Sequence, residues 1–183
     1  MLKILHIIPC LRKGGAERLV LDIVLELQHR SDVLVELVTF TSENAYQTDY
    51  PTIHPTVISS WVQASIFKPW TYHIQELQSF VDSFTPDVIH THLFEAEFVS
   101  RCLHYPKATW FSHCHDNMKQ FRSFDCRTLC NKELITNWYE KQRLFANYKR
   151  NGGTTFIAIS ADTQAYFKEN GSGYPVKLLS NAI

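Results

Sequence analysis

At 183 residues, with 45% hydrophobic and 20% charged side chains, the chain suits one ordinary globular domain with a core of normal size. Lys+Arg and Asp+Glu balance at 18 each, so the basic surplus of a general nucleic-acid binder is missing. No apolar run approaches the ~18 residues of a spanning helix. Five cysteines, an odd number, argue against a disulfide framework. These features lead us to expect a cytoplasmic protein with reduced thiols.

Leu2–Pro9 is a short apolar run ending at a proline, as in a central strand buried on both faces. Lys3, Ile4 and Leu5 look like the start of a signal peptide, but His6, Arg12 and Lys13 interrupt or flank too short a run. Gly14 and Gly15 follow as a turn. From Ala16 to Arg30 the period is helical: Arg18, Asp22, Glu26 and Arg30 form a polar stripe opposite Leu19, Val20, Ile23, Val24 and Leu27. Val33–Phe40 is a second strand. The alternation continues with a helix over Trp70–Phe84, a strand over Val88–Thr91 and a helix over Glu95–Leu103. Then come a strand over Ala108–Ser112, a helix over Glu133–Arg150, a strand over Thr155–Ile159, a helix capped by Ser160 and a strand over Val176–Leu179. The pattern predicts a Rossmann-like α/β domain over 1–183, a doubly wound, mostly parallel sheet with helices on both faces.

Ligands of such sheets bind beyond the carboxyl ends of the strands, near the switch in strand order. That rule gathers Pro9–Gly15, Thr91–Glu97, His113–Phe124 and Ser160–Asp162 on one rim. Gly14 and Gly15 open a helix whose free N–H groups suit an anion. G-x-G-x-x-G and G-x-x-x-x-G-K-[ST] are both absent, which disfavours a nicotinamide site or a P-loop. Cys126 and Cys130 are spaced C-x3-C, and Cys114 lies between His113 and His115. No second pair completes a zinc site, so no metal is expected. His113 and His115, two apart on an extended segment, share a face, and geometry does not separate them.

Lys3–Ile8 followed by Gly14-Gly15-Ala16-Glu17 resembles the opening of family 4 of the retaining glycosyltransferases, which have the GT-B fold. Pro86-Asp87-Val88-Ile89-His90-Thr91-His92 resembles that family's P-D-[IV]-[IV]-H-x-H segment. Phe111-Ser112-His113-Cys114-His115-Asp116-Asn117 resembles the H-S-H-[ND] segment of its capsule and exopolysaccharide members, with Cys114 in place of serine. Ile157–Ser160 and Val176–Ile183 resemble the segments that close the family's N-terminal domain.

The resemblance implies the acceptor-side half of a two-domain enzyme of polysaccharide or glycolipid synthesis. A nucleotide-diphosphate sugar would be the donor and a saccharide or lipid-linked saccharide the acceptor. The family's donor half carries E-x7-E, and no glutamate here has another eight positions on. We therefore expect the C-terminal donor domain to be absent from this chain and the chain alone to be inactive, with no cofactor of its own. The resemblance places Gly14 and Gly15 beside the donor phosphates and gives His115 the catalytic position. The acceptor side would draw on His92, Glu95, His113, Asp116, Lys119 and Arg122. For His92 and Glu95 a solvated loop competes with that role. The long segment Asn117–Lys132, with Lys119, Arg122, Arg127, Phe121 and Phe124, reads equally as an acceptor loop or a solvated insertion. Trp61, Phe67, Trp70 and Tyr72 around Lys68 are candidates for peripheral membrane contact, although core packing is the stronger expectation. The alternative is a stand-alone carbohydrate- or nucleotide-binding module without catalysis.

Overall fold

The computed structural model describes residues 1–65, 68–124 and 131–180. Seven strands form one parallel sheet: β1 (Leu2–Ile8), β2 (Val33–Thr39), β3 (Thr56–Val57), β6 (Val88–His92), β7 (Thr109–Cys114), β8 (Thr155–Ala158) and β9 (Val176–Leu178). Their order is β3-β2-β1-β6-β7-β8-β9, so the winding reverses between β1 and β6. That reversal sets the ligand crevice at the carboxyl ends of these two strands. A separate antiparallel pair joins β4 (Trp61–Gln63) to β5 (Thr71–His73).

Among the described residues five α-helices complete the fold: α1 (Gly15–Gln28), α2 (Gln75–Phe84), α3 (Leu93–Ser100), α4 (Lys132–Arg150) and α5 (Ala161–Asn170). The Asn131 side chain caps α4 by accepting from the N–H groups of Glu133 and Leu134. The same helix ends where Gly152, at φ +81°, takes the left-handed conformation and Gly153 N–H donates to the Tyr148 carbonyl at 2.7 Å. Ser160 caps α5 through the Thr163 N–H, as its sequence predicts.

The second helix departs most from its expected bounds, and α3 lies two to three residues earlier than its expected Glu95–Leu103. The helix over Trp70–Phe84 begins only at Gln75, because Thr71–His73 pairs with Trp61–Gln63 and Trp61 stacks on His73 at 5.7 Å. Thr71 and Tyr72 are strand-favouring residue types, and tertiary pairing overrides the helical period there. Strand β7 also runs two residues beyond its expected end and takes in His113 and Cys114.

The two faces of the sheet are covered differently. On one, Leu5, Ile7, Ile89 and Trp110 pack with Leu77 and Val81 of α2 and with Ala96 and Val99 of α3. Cys114 and Phe156 of that same face pack with Leu144 and Tyr148 of α4 and Phe167 of α5. On the other, Ile8 and Leu37 meet Val20, Leu21 and Val24 of α1. Helices therefore lie on both faces, with α1 alone among the five helices on the second.

Candidate functional site

Parallel register builds the site. His6 of β1 pairs with His90 of β6, and His92 of β6 pairs with His113 of β7. Alternation keeps His90 and His92 on one face, and His113 and His115 on that same face. Five imidazoles thus collect beside α1. Their rings pack against one another, with centroids 4.4 Å apart for His90 and His92 and 4.5 Å for His113 and His115.

The ring nitrogens meet in a definite pattern. His6 Nδ1 lies 3.0 Å from His92 Nε2, and His92 Nδ1 lies 3.3 Å from His115 Nε2. His113 Nδ1 lies 3.2 Å from His90 Nε2. Two buried nitrogens, His6 Nε2 and His113 Nε2, have no hydrogen-bond partner among the described residues. Burial lowers the pKa of His6 to about 4, of His113 to about 3 and of His115 to about 4. His90 and His92 are pushed well below their ordinary value, first by burial and then by neighbouring imidazoles. At neutral pH all five rings are uncharged.

Nitrogens of His6, His90 and His92, and separately of His92, His113 and His115, lie within 4.8 Å of one another, close enough for each trio to share a cation. Among the described residues, however, no carboxylate hydrogen-bonds to any of the five rings, whereas metal-ligating histidines ordinarily have such support or an equivalent acceptor. The observed separations are those of imidazole–imidazole hydrogen bonds. Cys114 does not join the group. It points to the opposite face, fully buried, and burial raises its thiol pKa well above the ordinary range. Cys126 and Cys130 lie outside the described residues.

The glycine turn sits on the same rim, after β1. Gly14 is the N-cap of α1 and offers no side chain to the free N–H groups of the first turn. Tyr46 pins this residue from both sides: its hydroxyl accepts from Gly14 N–H at 3.0 Å and donates to Gly14 O at 2.9 Å. The two glycines differ. A Cβ on Gly14 would collide with the Glu17 carboxylate, while a Cβ on Gly15 would meet nothing within 4 Å. Neither has a positive φ. Open space therefore lies at Gly15, and Gly14 is filled from behind.

At the start of α3, Leu93 takes φ +67°, a left-handed conformation that strains a leucine directly after His92. Glu95, one turn on, is exposed. Its carboxylate is the smallest of the influences that raise the Arg12 pKa, after the hydrogen bond and charge of Glu43 and the charge of Cys10.

The remaining expected residues are more scattered. Asp116 is exposed just beyond β7, and Arg122 is exposed. Lys119 is held in an ion pair with Glu133 at 2.5 Å, both side chains being largely exposed. Phe121 is no ligand-facing aromatic: it is fully buried against Phe156 and Phe167. The Tyr166 hydroxyl on Met118 O and the Lys141 ammonium on Phe121 O tack this segment to α5 and α4. Trp70 packs against Phe98 and Tyr139, as expected of a core aromatic. Trp61 and Tyr72 instead stand 44% and 42% exposed, because the β4–β5 pair lies apart from the main sheet. Phe67 and Arg127 fall outside the described residues. Sequence reasoning missed His6, His90 and Tyr46. The two H-x-H segments on adjacent strands could have flagged His90.

A doubly wound α/β domain with its polar residues on the carboxyl rim is the class that fold and site define. The chain matches glycosyltransferase family 4 over residues 13–183, and it belongs to that family. A glycosyltransferase from Rickettsia africae is similar in structure at a TM-score of 0.60 with 12% identity, over 100% of this chain and 43% of that one. Sucrose-phosphate synthase from Thermosynechococcus elongatus is similar at 0.58 with 14% identity, over 100% of this chain and 49% of that one. The chain thus spans less than half the length of either. No curated protein sequence matches it significantly.

Proposed function

We propose that this domain is the acceptor-side half of a GT-B retaining glycosyltransferase that takes a nucleotide-diphosphate sugar as donor. The observation that carries the reading is that, in a family 4 domain, the open helix N-terminus at Gly15 follows β1 and the imidazole of His115 follows β7, both on the carboxyl rim beside the winding reversal. The N–H groups of α1 suit a diphosphate, and His115 suits a hydroxyl of the sugar being transferred. The domain's contribution is placement and electrostatic stabilisation of the leaving diphosphate. His113 is a supporting residue, because both its ring faces and its Nδ1 are taken up by other histidines. A second domain supplies the rest of the donor site, and the 183-residue chain by itself does not transfer sugar.

The acceptor is a saccharide or a lipid-linked saccharide of polysaccharide or glycolipid synthesis, approached by Glu95, Asp116, Lys119 and Arg122; His92, expected there from sequence, is fully buried with both ring nitrogens on His6 and His115, and supports His115 instead. The exposed Trp61 supports contact with the inner face of a membrane, whereas Tyr72 lies on the opposite face of the β4–β5 pair, with Val62. No helix among the described residues is long and apolar enough to cross one.

The test is release of nucleotide diphosphate and transfer of labelled sugar from a panel of nucleotide sugars by the full-length protein and by the 183-residue chain. Turnover by the former alone is the expected result. Transfer by the short chain, or none by the full-length protein with any donor, sinks the reading.

A further inference from the structure

Neutral imidazole carries one N–H and one lone pair. That rule restricts what the five buried rings can do. The three rings of His6, His92 and His115 are joined by two N···N contacts, through His6 Nδ1 with His92 Nε2 and His92 Nδ1 with His115 Nε2. One proton per ring leaves only two self-consistent arrangements, running in opposite senses. In one, His115 Nε2 donates inward to His92, which donates to His6, and the proton of His6 ends on Nε2. That nitrogen is buried with no acceptor. In the other, His6 donates from Nδ1 to His92, and His92 donates from Nδ1 to His115. His6 Nε2 is then an unmet lone pair. Of the two orphans, a buried N–H without an acceptor is the rarer in folded proteins. The second sense wins.

The shorter chain obeys the same rule. His113 Nδ1 meets His90 Nε2, and it is again the Nε2 of the starting ring that is buried and unpartnered. Both orphaned nitrogens thus fall at the start of a chain that donates from Nδ1. At the far end of the longer chain, His115 is only half-buried, and its Nδ1 has no hydrogen bond among the described residues.

We propose that His6 and His92 fix His115 as the Nδ1–H tautomer, so that His115 meets its ligand as a hydrogen-bond donor and takes an oxygen acceptor, a hydroxyl or phosphate oxygen. The ligand class rests on the reading under Proposed function; the tautomer does not. His6 and His92 are positioning residues, fully buried and without ligand contact of their own. His115 then has no lone pair free on its ligand-facing side, so it does not act as a general base through Nδ1.

The experiment is long-range 1H–15N correlation on full-length protein labelled only at histidine, at neutral pH. It distinguishes protonated from unprotonated ring nitrogens directly. The expected result is Nδ1–H with a bare Nε2 for His6, His92 and His115. In His6→Leu the chain loses its first donor, and His115 shifts to a mixture of tautomers. In His6→Asn, whose amide N–H stands where Nδ1–H was, the Nδ1–H form returns. A wild-type His115 protonated on Nε2 overturns the proposal, and so does a His115 tautomer unchanged in folded His6→Leu. One equivalent of zinc retained through dialysis and lost in His92→Gln overturns it too, because a metal would take the lone pairs the chain needs. The wild-type spectrum decides the tautomer whether or not the Leu variant folds. It requires no turnover, so failure of sugar transfer and failure of the tautomer are separate results.

Discussion

Strands β6 and β7 carry two chemistries on their two sides. On the α3 side Thr91 and Ser112 both donate to the Glu97 carboxylate, the latter at 2.6 Å, and Glu97 pairs with Arg101 at 2.9 Å. The Arg101 guanidinium lies over the rings of Trp110 and Tyr148, 4.2 and 4.5 Å from their centroids. On the α1 side the same strands present His90, His92 and His113, with His115 just beyond, and these rings satisfy one another only in part. One side compensates a buried charge almost completely. The other leaves nitrogens unmet and rings neutral. The first arrangement is what a fold needs, and the second is what a site retains. Perturbation should separate them, with stability lost on one side and turnover on the other.

The largest effect is expected from Glu97→Ala. It strips the buried Arg101 of its counter-charge, leaving only the Gly153 carbonyl, and takes the carboxylate acceptor from the Thr91 and Ser112 hydroxyls. Breaking a buried pair in this way costs about 3–5 kcal/mol, a large share of the stability of a single domain. Urea unfolding monitored by circular dichroism measures it. A loss under 1 kcal/mol would show that the α3 side is not the structural one.

Gly15→Val should do the reverse. A Cβ there meets no atom of a neighbouring element within 4 Å and the backbone carries no positive φ, so a side chain can leave the backbone without a Cβ clash or left-handed strain. In the full-length protein turnover should fall ~100-fold, the cost of displacing reacting groups by about 1 Å, while the melting temperature holds. Wild-type turnover would remove Gly15 from the site, and a large drop in melting temperature would break the division between the two sides.

The imidazole side should also reveal itself through pH. His6, with its folded pKa lowered from 6.5 to about 4, refuses a proton that the unfolded chain accepts. Its contribution is therefore constant above pH ~6.5 and turns against the fold as pH falls from there towards 4. Each such group adds a slope of up to ~1.4 kcal/mol per pH unit in that window. Unfolding free energies of wild type and His6→Leu between pH 5 and 6 should differ in slope by about that amount, with the variant the flatter. Equal slopes would mean that His6 is protonated in the folded state or hydrated there.

Much of this arrangement could be read from the residues alone. Ile89-His90-Thr91-His92 alternates an apolar or hydroxyl side chain with an imidazole, and strand geometry sends the two sets to opposite faces. The glycine turn, the Ser160 cap and the doubly wound sheet were likewise legible, since each depends on neighbours in sequence. The imidazole chain was not. It depends on the register that sets His6 beside His90, 84 residues on, and His92 beside His113, 21 residues on, and that register is fixed by packing between distant segments. Trp70 misled for the same reason: its helical period was real, but Trp61–Gln63 offered Thr71–His73 a strand partner. Lys119 looked free in sequence because Glu133, fourteen positions on, gives no local sign of reaching it.

That ion pair supports the smallest prediction and tests where the site ends. Lys119 and Glu133 are both largely exposed, so solvent screens their attraction and its loss should barely move the melting temperature. If Lys119 approaches the acceptor, Lys119→Met raises the KM for acceptor in the full-length protein and leaves kcat nearly unchanged, the mark of an interaction made equally in ground and transition states. Glu133→Gln then separates the two roles of the lysine. Freed from its partner, Lys119 should bind an anionic acceptor at least as well as before, so KM stays level or falls. A KM that rises equally in both variants would mean that the pair acts as a unit to hold the segment after β7. A KM unmoved in both would confine the site to the strand ends, where His92, His113 and His115 already meet.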